Sequence, residues 1–188
     1  MKILTAPLIV LLLCLTTAAQ QPKAPDQTQT KIELFQAKTG SVLIKNFSEI
    51  GSLRGLGGTV TITSWEFIDA QTGKKAYGLS VEAKESSRLE REDRAYIDYD
   101  EIDSLLKGLD YISTIDRGIT KLKNFQADYR TTGNLRVSSF SGSSDVEYSV
   151  AVGRIGSVSV FYKADAFAAF RKLIVDAKAA LDAIKPAS

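Results

Sequence analysis

The chain has 188 residues, with 24 Lys+Arg against 22 Asp+Glu for a formal net charge of +2, and no histidine. Its single cysteine, Cys14, and single methionine, Met1, both lie near the N-terminus. The two charge signs are interleaved, as between Glu82 and Arg94, so the chain has no basic stripe to neutralise phosphates, and nucleic-acid binding is not expected.

The first residues have the three parts of a secretory signal peptide. Lys2 supplies the charge, Leu8 to Leu15 the apolar core, and Thr17-Ala18-Ala19 the small residues before a cut. The expected cut follows Ala19. A retained anchor would need about 20 apolar residues, and Pro7 and Thr16-Thr17 leave too few. Lipidation at Cys14 would want a small residue before the cysteine, and Leu13 is large. The expected mature chain, from Gln20 to Ser188, holds no cysteine, histidine or methionine, and has no membrane span.

That composition bounds the chemistry. The exported protein is expected in the periplasm or outside the cell, without a disulfide, held together by a hydrophobic core. Thiolate nucleophiles, Ser-His-Asp triads and histidine-bound zinc or haem are ruled out for the mature chain, and no cofactor is expected. Any catalysis would fall to carboxylates, a Ser-Lys pair or tyrosine, and any metal site would be all-oxygen.

Residues 20–30 are polar with two prolines and read as a flexible linker. From Lys31 to Lys185 there is no proline, so 31–188 reads as a single domain. Thr59 to Ile68 is rich in β-branched and aromatic residues and ends in a glycine turn, Asp69 to Lys74. Period-two alternation then marks strands at Tyr77–Ala83, Phe125–Arg130 and Val146–Val152. Thr132-Gly133-Asn134 and Ser141-Gly142-Ser143 punctuate the later strands, and such short turns imply antiparallel pairing.

Two segments have helical period. Over Asp100–Ser113 the stripe is Ile102, Leu105, Leu106, Leu109 and Ile112, with Asp100 as the expected N-cap and Gly108 as a weak point. Over Asp165–Ile184 it is Phe167, Phe170, Leu173, Ile174, Ala177, Leu181 and Ile184, with Asp165 as the expected cap. Each helix follows aromatics (Tyr96, Tyr99; Phe161, Tyr162) and reads Asp-x-apolar-x-x-apolar-x-Lys. The expected fold is α+β: an antiparallel sheet with two amphipathic helices packed on one face, as two meander-plus-helix halves sharing that sheet.

Several motifs suggest chemistry. Ser104-Leu105-Leu106-Lys107 and Lys38-Thr39-Gly40 match the S-x-x-K and K-T-G of serine acyl-enzymes, but in reversed order and without S-D-N. At 100° per residue, Ser104 and Lys107 also point away from the apolar stripe. Asp98, Asp100, Glu101 and Asp103 gather carboxylates where a helix begins; the macrodipole accounts for them without calcium. Arg54-Gly55-Leu56-Gly57-Gly58 resembles a phosphate cradle but leads into a strand, not a helix. Asn46-Phe47-Ser48 is a glycosylation sequon, relevant only in a eukaryote.

The remaining candidate is the sheet face away from the helices. Alternation assigns it Gln126, Asp128, Arg130, Arg136, Ser138, Glu147, Ser149, Ser157 and Ser159, with Asp128, Arg130, Arg136 and Glu147 as its ligand-contacting charges. The functional expectation is a non-enzymatic binding or interaction module for an extracytoplasmic protein or glycan. The alternatives are a small carboxylate-dependent hydrolase and a secreted enzyme inhibitor; the hydrolase would need two carboxylates in one cleft, one with a raised pKa.

Overall fold

The computed structural model describes residues 29–186 apart from Leu89. The signal segment, its cut and most of the linker lie outside them. In chain order the elements are α1 (Lys31–Gln36), β1 (Leu43–Gly55), β2 (Gly58–Asp69), β3 (Lys75–Glu85), β4 (Glu92–Asp98), a 3-10 turn (Tyr99–Glu101), α2 (Ile102–Thr114), a second 3-10 turn (Arg117–Ile119), β5 (Gln126–Arg130), β6 (Leu135–Ser141), β7 (Val146–Val152), β8 (Val158–Tyr162) and α3 (Ala164–Asp182). The class is α+β, with each helical stripe following a four-strand antiparallel meander.

One detail differs from expectation. The meanders do not share a sheet; they form two, ordered β1-β2-β3-β4 and β5-β6-β7-β8. Their inner faces meet in one contiguous core. Val60, Ile62, Leu79, Val81 and Ile97 come from the first sheet, and Val137, Val150, Val152, Val158 and Val160 from the second. All are almost wholly excluded from solvent.

The helices close this core by crossing over. α3, which follows the second meander, packs chiefly on β1 and β2 of the first. Ser64 Oγ on β2 donates to the Ala177 carbonyl at 3.1 Å. α2, which follows the first meander, lies against β5 and β6. There Gly108 has a packing reason: a Cβ at that position would stand 2.3 Å from the Tyr129 ring. An Asp110–Arg171 pair then links the two helices, its second contact 2.9 Å.

The capping assignments need correction. Asp100 does not cap α2, because a 3-10 turn comes first and the helix starts at Ile102 with no side-chain cap. Asp165 lies inside the first turn of α3, whose N-cap is Lys163. Ile184 lies beyond that helix and is exposed, so it leaves the stripe. Thr30, expected to end the linker, is wholly buried and caps α1 in a reciprocal box with Glu33.

That short helix covers the end of the first sheet's outer face around Gly78 and Asp98. Asp98 accepts from Lys31 N at 2.7 Å and Ile32 N at 3.0 Å, anchoring the helix start from another element. Ile32 then drops onto Gly78, where a Cβ would meet its Cδ1 at 2.3 Å. Beside it Phe67 is buried under Trp65, stacked at 5.5 Å, with Tyr96 edge-on at 6.2 Å.

Candidate functional site

Among the described residues the second sheet has no such lid. Its outer face is built in cross-strand rows by antiparallel register. One row runs Asp128, Ser138, Ser149, Phe161 across β5 to β8. A second runs Arg130, Arg136, Ala151, Ser159, and a third Gln126, Phe140, Glu147. All four expected contact charges, Asp128, Arg130, Arg136 and Glu147, therefore stand on one face.

The β1–β2 hairpin extends the first row. Leu56 and Phe161 exchange two backbone hydrogen bonds of 2.9 Å, so the hairpin tip pairs with the outer edge of β8. The glycines of the supposed phosphate cradle make this possible. A Cβ on Gly55 would stand 2.6 Å from the Phe161 carbonyl oxygen, and one on Gly58 2.2 Å from that of Lys84. Gly57 holds φ +92°, a left-handed conformation in which a side chain is strained. The glycine run thus joins two sheets, and it leads into β2 rather than a helix.

The floor of this face is recessed. Ser138, Ser149 and Ala151 are only 2%, 8% and 2% exposed, although no helix of the described residues covers them. They are small residues sunk between larger neighbours: Asp128 and Phe161 along the row, Arg136 and Phe140 along the strand. Phe140 and Phe161 meet edge-to-face at 6.1 Å. Where Phe161 meets Leu56, a cavity of about 250 Å³ opens, bounded also by Arg54, Glu147 and Lys163. Lys163 Nζ holds Glu147 at 2.6 Å.

The charges at the other end are asymmetric. Arg130 and Arg136 stand directly opposite each other, which costs free energy unless something negative lies between them. Asp128 does part of this. Burial pushes its carboxyl up, but hydrogen bonds from Gln126 and Ser138 and the fields of Arg136 and Arg130 outweigh burial and hold it below its ordinary value. The Ser138 hydroxyl is 2.6 Å away, while Arg130 comes no closer than 4.0 Å. Arg136 Nε is buried and, among the described residues, has no hydrogen-bond partner.

The other motifs fall elsewhere. Ser104 and Lys107 are exposed on α2, and Ser104 Oγ receives the Tyr129 hydroxyl at 3.0 Å, so no Ser-Lys pair faces the core. The four acidic residues diverge. Asp98 holds α1, Asp100 pairs with Lys31, Glu101 accepts from Thr132 N at 2.8 Å, and Asp103 stands 3.8 Å from Lys178. Among the described residues no three acidic side chains converge on a metal-sized point. Asn46 donates to Glu66 at 2.9 Å from β1. Displaced carboxyl groups shift downward: Glu66 through Lys75, Glu85 through Arg91, Asp100 through Lys31 and Asp110 through Arg171. A general acid at neutral pH needs the opposite shift.

Phe140, Phe161 and Leu56, the apolar members of this face, are not among its expected residues. The signal for the first two was present. Phe140 shares parity with Arg136 and Ser138, and Phe161 with Ser157 and Ser159. Leu56 joins only through the bridge between sheets, which no local pattern encodes. Compared with models of protein families, with curated proteins and with solved structures, the chain finds no match. No helix among the described residues is long and apolar enough to cross a membrane.

Proposed function

We propose that the protein is an exported, non-enzymatic binding module, working in the periplasm or outside the cell, that grips a protein or glycan with the outer face of its second sheet. The observation that carries this reading is the row from Asp128 through Ser138, Ser149 and Phe161 to Leu56, a recessed polar floor ending in apolar side chains. Binding surfaces concentrate their energy in aromatic and arginine side chains set among near-neutral polar contacts. Phe161, Phe140, Arg130 and Arg136 have that arrangement here. The signal segment supports the compartment, and a compact core without disulfides suits a durable exported scaffold.

The exposed hairpin tip supports a narrower version, inhibition of a secreted enzyme. Leu56 is held rigidly by its two hydrogen bonds to Phe161 yet is 77% exposed. A pre-ordered apolar tip can enter a cleft with little loss of freedom.

The test is capture from the extracytoplasmic fraction with immobilised mature protein, alongside Phe161→Ala and Arg136→Ala variants that keep the wild-type melting transition. The expected result is a partner retained by wild type and weakened at least about tenfold by each variant, the usual size of a hot-spot loss. A partner held equally by all three would move the binding site off this face. If the partner is an enzyme, the inhibitor version predicts that its activity falls on binding and recovers with a Leu56→Ala variant.

A further inference from the structure

The first sheet carries a separate feature, its free edge. β1 is an outermost strand, paired only with β2 in its sheet. The register Leu43 to Asp69 and the bond from Ala70 N to the Val42 carbonyl at 2.9 Å fix which backbone groups face inward. Val42, Ile44, Asn46 and Ser48 bond to β2, so Leu43, Lys45, Phe47 and Glu49 turn their N–H and C=O groups outward. A bulge between Glu49 and Gly51 reverses this parity. Beyond it the outward edge includes Leu56, already satisfied by Phe161. Among the described residues, the longest run of edge groups without a backbone partner is thus Leu43 to Glu49.

We infer that this segment pairs antiparallel with the same segment of a second copy, about a two-fold axis at Phe47, joining two four-strand sheets into one of eight. Centring the axis there sets Lys45 of each copy opposite Glu49 of the other and Phe47 opposite its mate. Outward-facing backbone groups then meet outward-facing groups at Lys45–Glu49 and at Phe47–Phe47, the pairs that lie within the ladder on both chains. Other centres lose the charge match. An axis at Lys45 or at Glu49 sets like charges face to face, and one at Asn46 puts Lys45 opposite Phe47. A charge on an edge strand usually keeps chains apart, but here each chain also supplies the complement. Phe47 gives the apolar contact. It is 68% exposed, on the same face as Trp65 with the two rings tilted against each other at 4.9 Å, and the two-fold brings a second Phe47 to its bare side. An isologous interface of this kind repeats every contact twice.

The test uses the mature chain, Gln20–Ser188, in sedimentation velocity over a wide concentration range. Wild type should form a reversible dimer. Lys45→Glu and Glu49→Lys should each weaken it at least about tenfold, because symmetry makes two like-charge pairs from each change. The double variant Lys45→Glu/Glu49→Lys should restore the dimer, since the charges are again complementary across the axis. That rescue also separates lost pairing from lost folding. A monomer at every concentration would overturn the inference, leaving the edge to a strand of another protein. A dimer indifferent to the single variants, or one the double variant fails to restore, would overturn it too.

Discussion

The two halves share a plan and treat their outer sheet faces in opposite ways. The first face carries Trp65, Phe67 and Tyr96, and α1 is lowered onto it with Ile32 as the plug. The second carries serines and alanine along its centre and, among the described residues, has no helix above it. Packing explains the split. An aromatic floor left open would present a large apolar patch to water, so it needs a cover. A floor of Ser138, Ser149 and Ala151 needs none, because its neighbours shade it and its hydroxyls find partners such as Asp128. The lid of one half and the lining of the other are alternative solutions to the same sheet face, and among the described residues the second carries no helix over its floor.

The most severe way to break this comparison is to remove the plug. Ile32→Ala should cost about 2–5 kcal/mol in urea unfolding, the range for truncating a fully buried isoleucine. The matching truncation on the open face, Phe161→Ala, should cost about 1 kcal/mol or less, since that ring remains partly in water. Equal losses would mean that the second face is covered after all, or that the first is not.

A smaller effect probes the crossover of the helices. By propensity alone Gly108→Ala should stabilise α2 by about 1 kcal/mol. Because the new methyl would collide with Tyr129 on β5, overpacking of about 1–3 kcal/mol should win and the protein should melt lower. Combining it with Tyr129→Ala should lose less than the sum of the two single changes. A simple gain in stability would place α2 away from the second sheet.

What was legible in sequence follows the same physics. β7 matches its expected span, and β3 extends the expected Tyr77–Ala83 only at its ends, because a strand with one buried face writes its period into the chain. β1 left no such trace. Asn46, Ser48, Gly51 and Ser52 interrupt the alternation, and the bulge shifts its parity midway. α1, at six residues, is too short for a helical period. Its capping box, Thr30 with Glu33, is the readable sign, and it straddles the expected boundary between linker and domain. Two sheets rather than one could not be read at all, since the join depends on which edges meet in space. Asp128, Arg130, Arg136 and Glu147 were legible as one face because parity alone puts them there. That Arg136 faces Arg130, and that Phe161 meets Leu56, needed the register.

The smallest effect concerns the charge at the end of that open face. Asp128→Asn removes the carboxylate that stands in the row beside Arg130 and Arg136, keeping its shape. The side chain is partly exposed, so the cost at neutral pH should be below about 1 kcal/mol, as for most exposed ion pairs. Its pH dependence is the informative part. The folded-state pKa of Asp128 lies below the unfolded value, so the native state binds its proton less readily and the carboxylate stabilises the fold above the unfolded pKa. That contribution should fade as pH falls through the lower, folded-state value. Urea unfolding of wild type and Asp128→Asn should therefore differ most near neutrality and converge in acid, with wild type the more stable wherever they differ. Added salt at neutral pH should narrow the gap by screening. A gap constant from neutral to acid would mean that Asp128 acts through shape and hydrogen bonding alone, leaving the two arginines uncompensated in the free protein and raising the demand for an acidic group on whatever binds there.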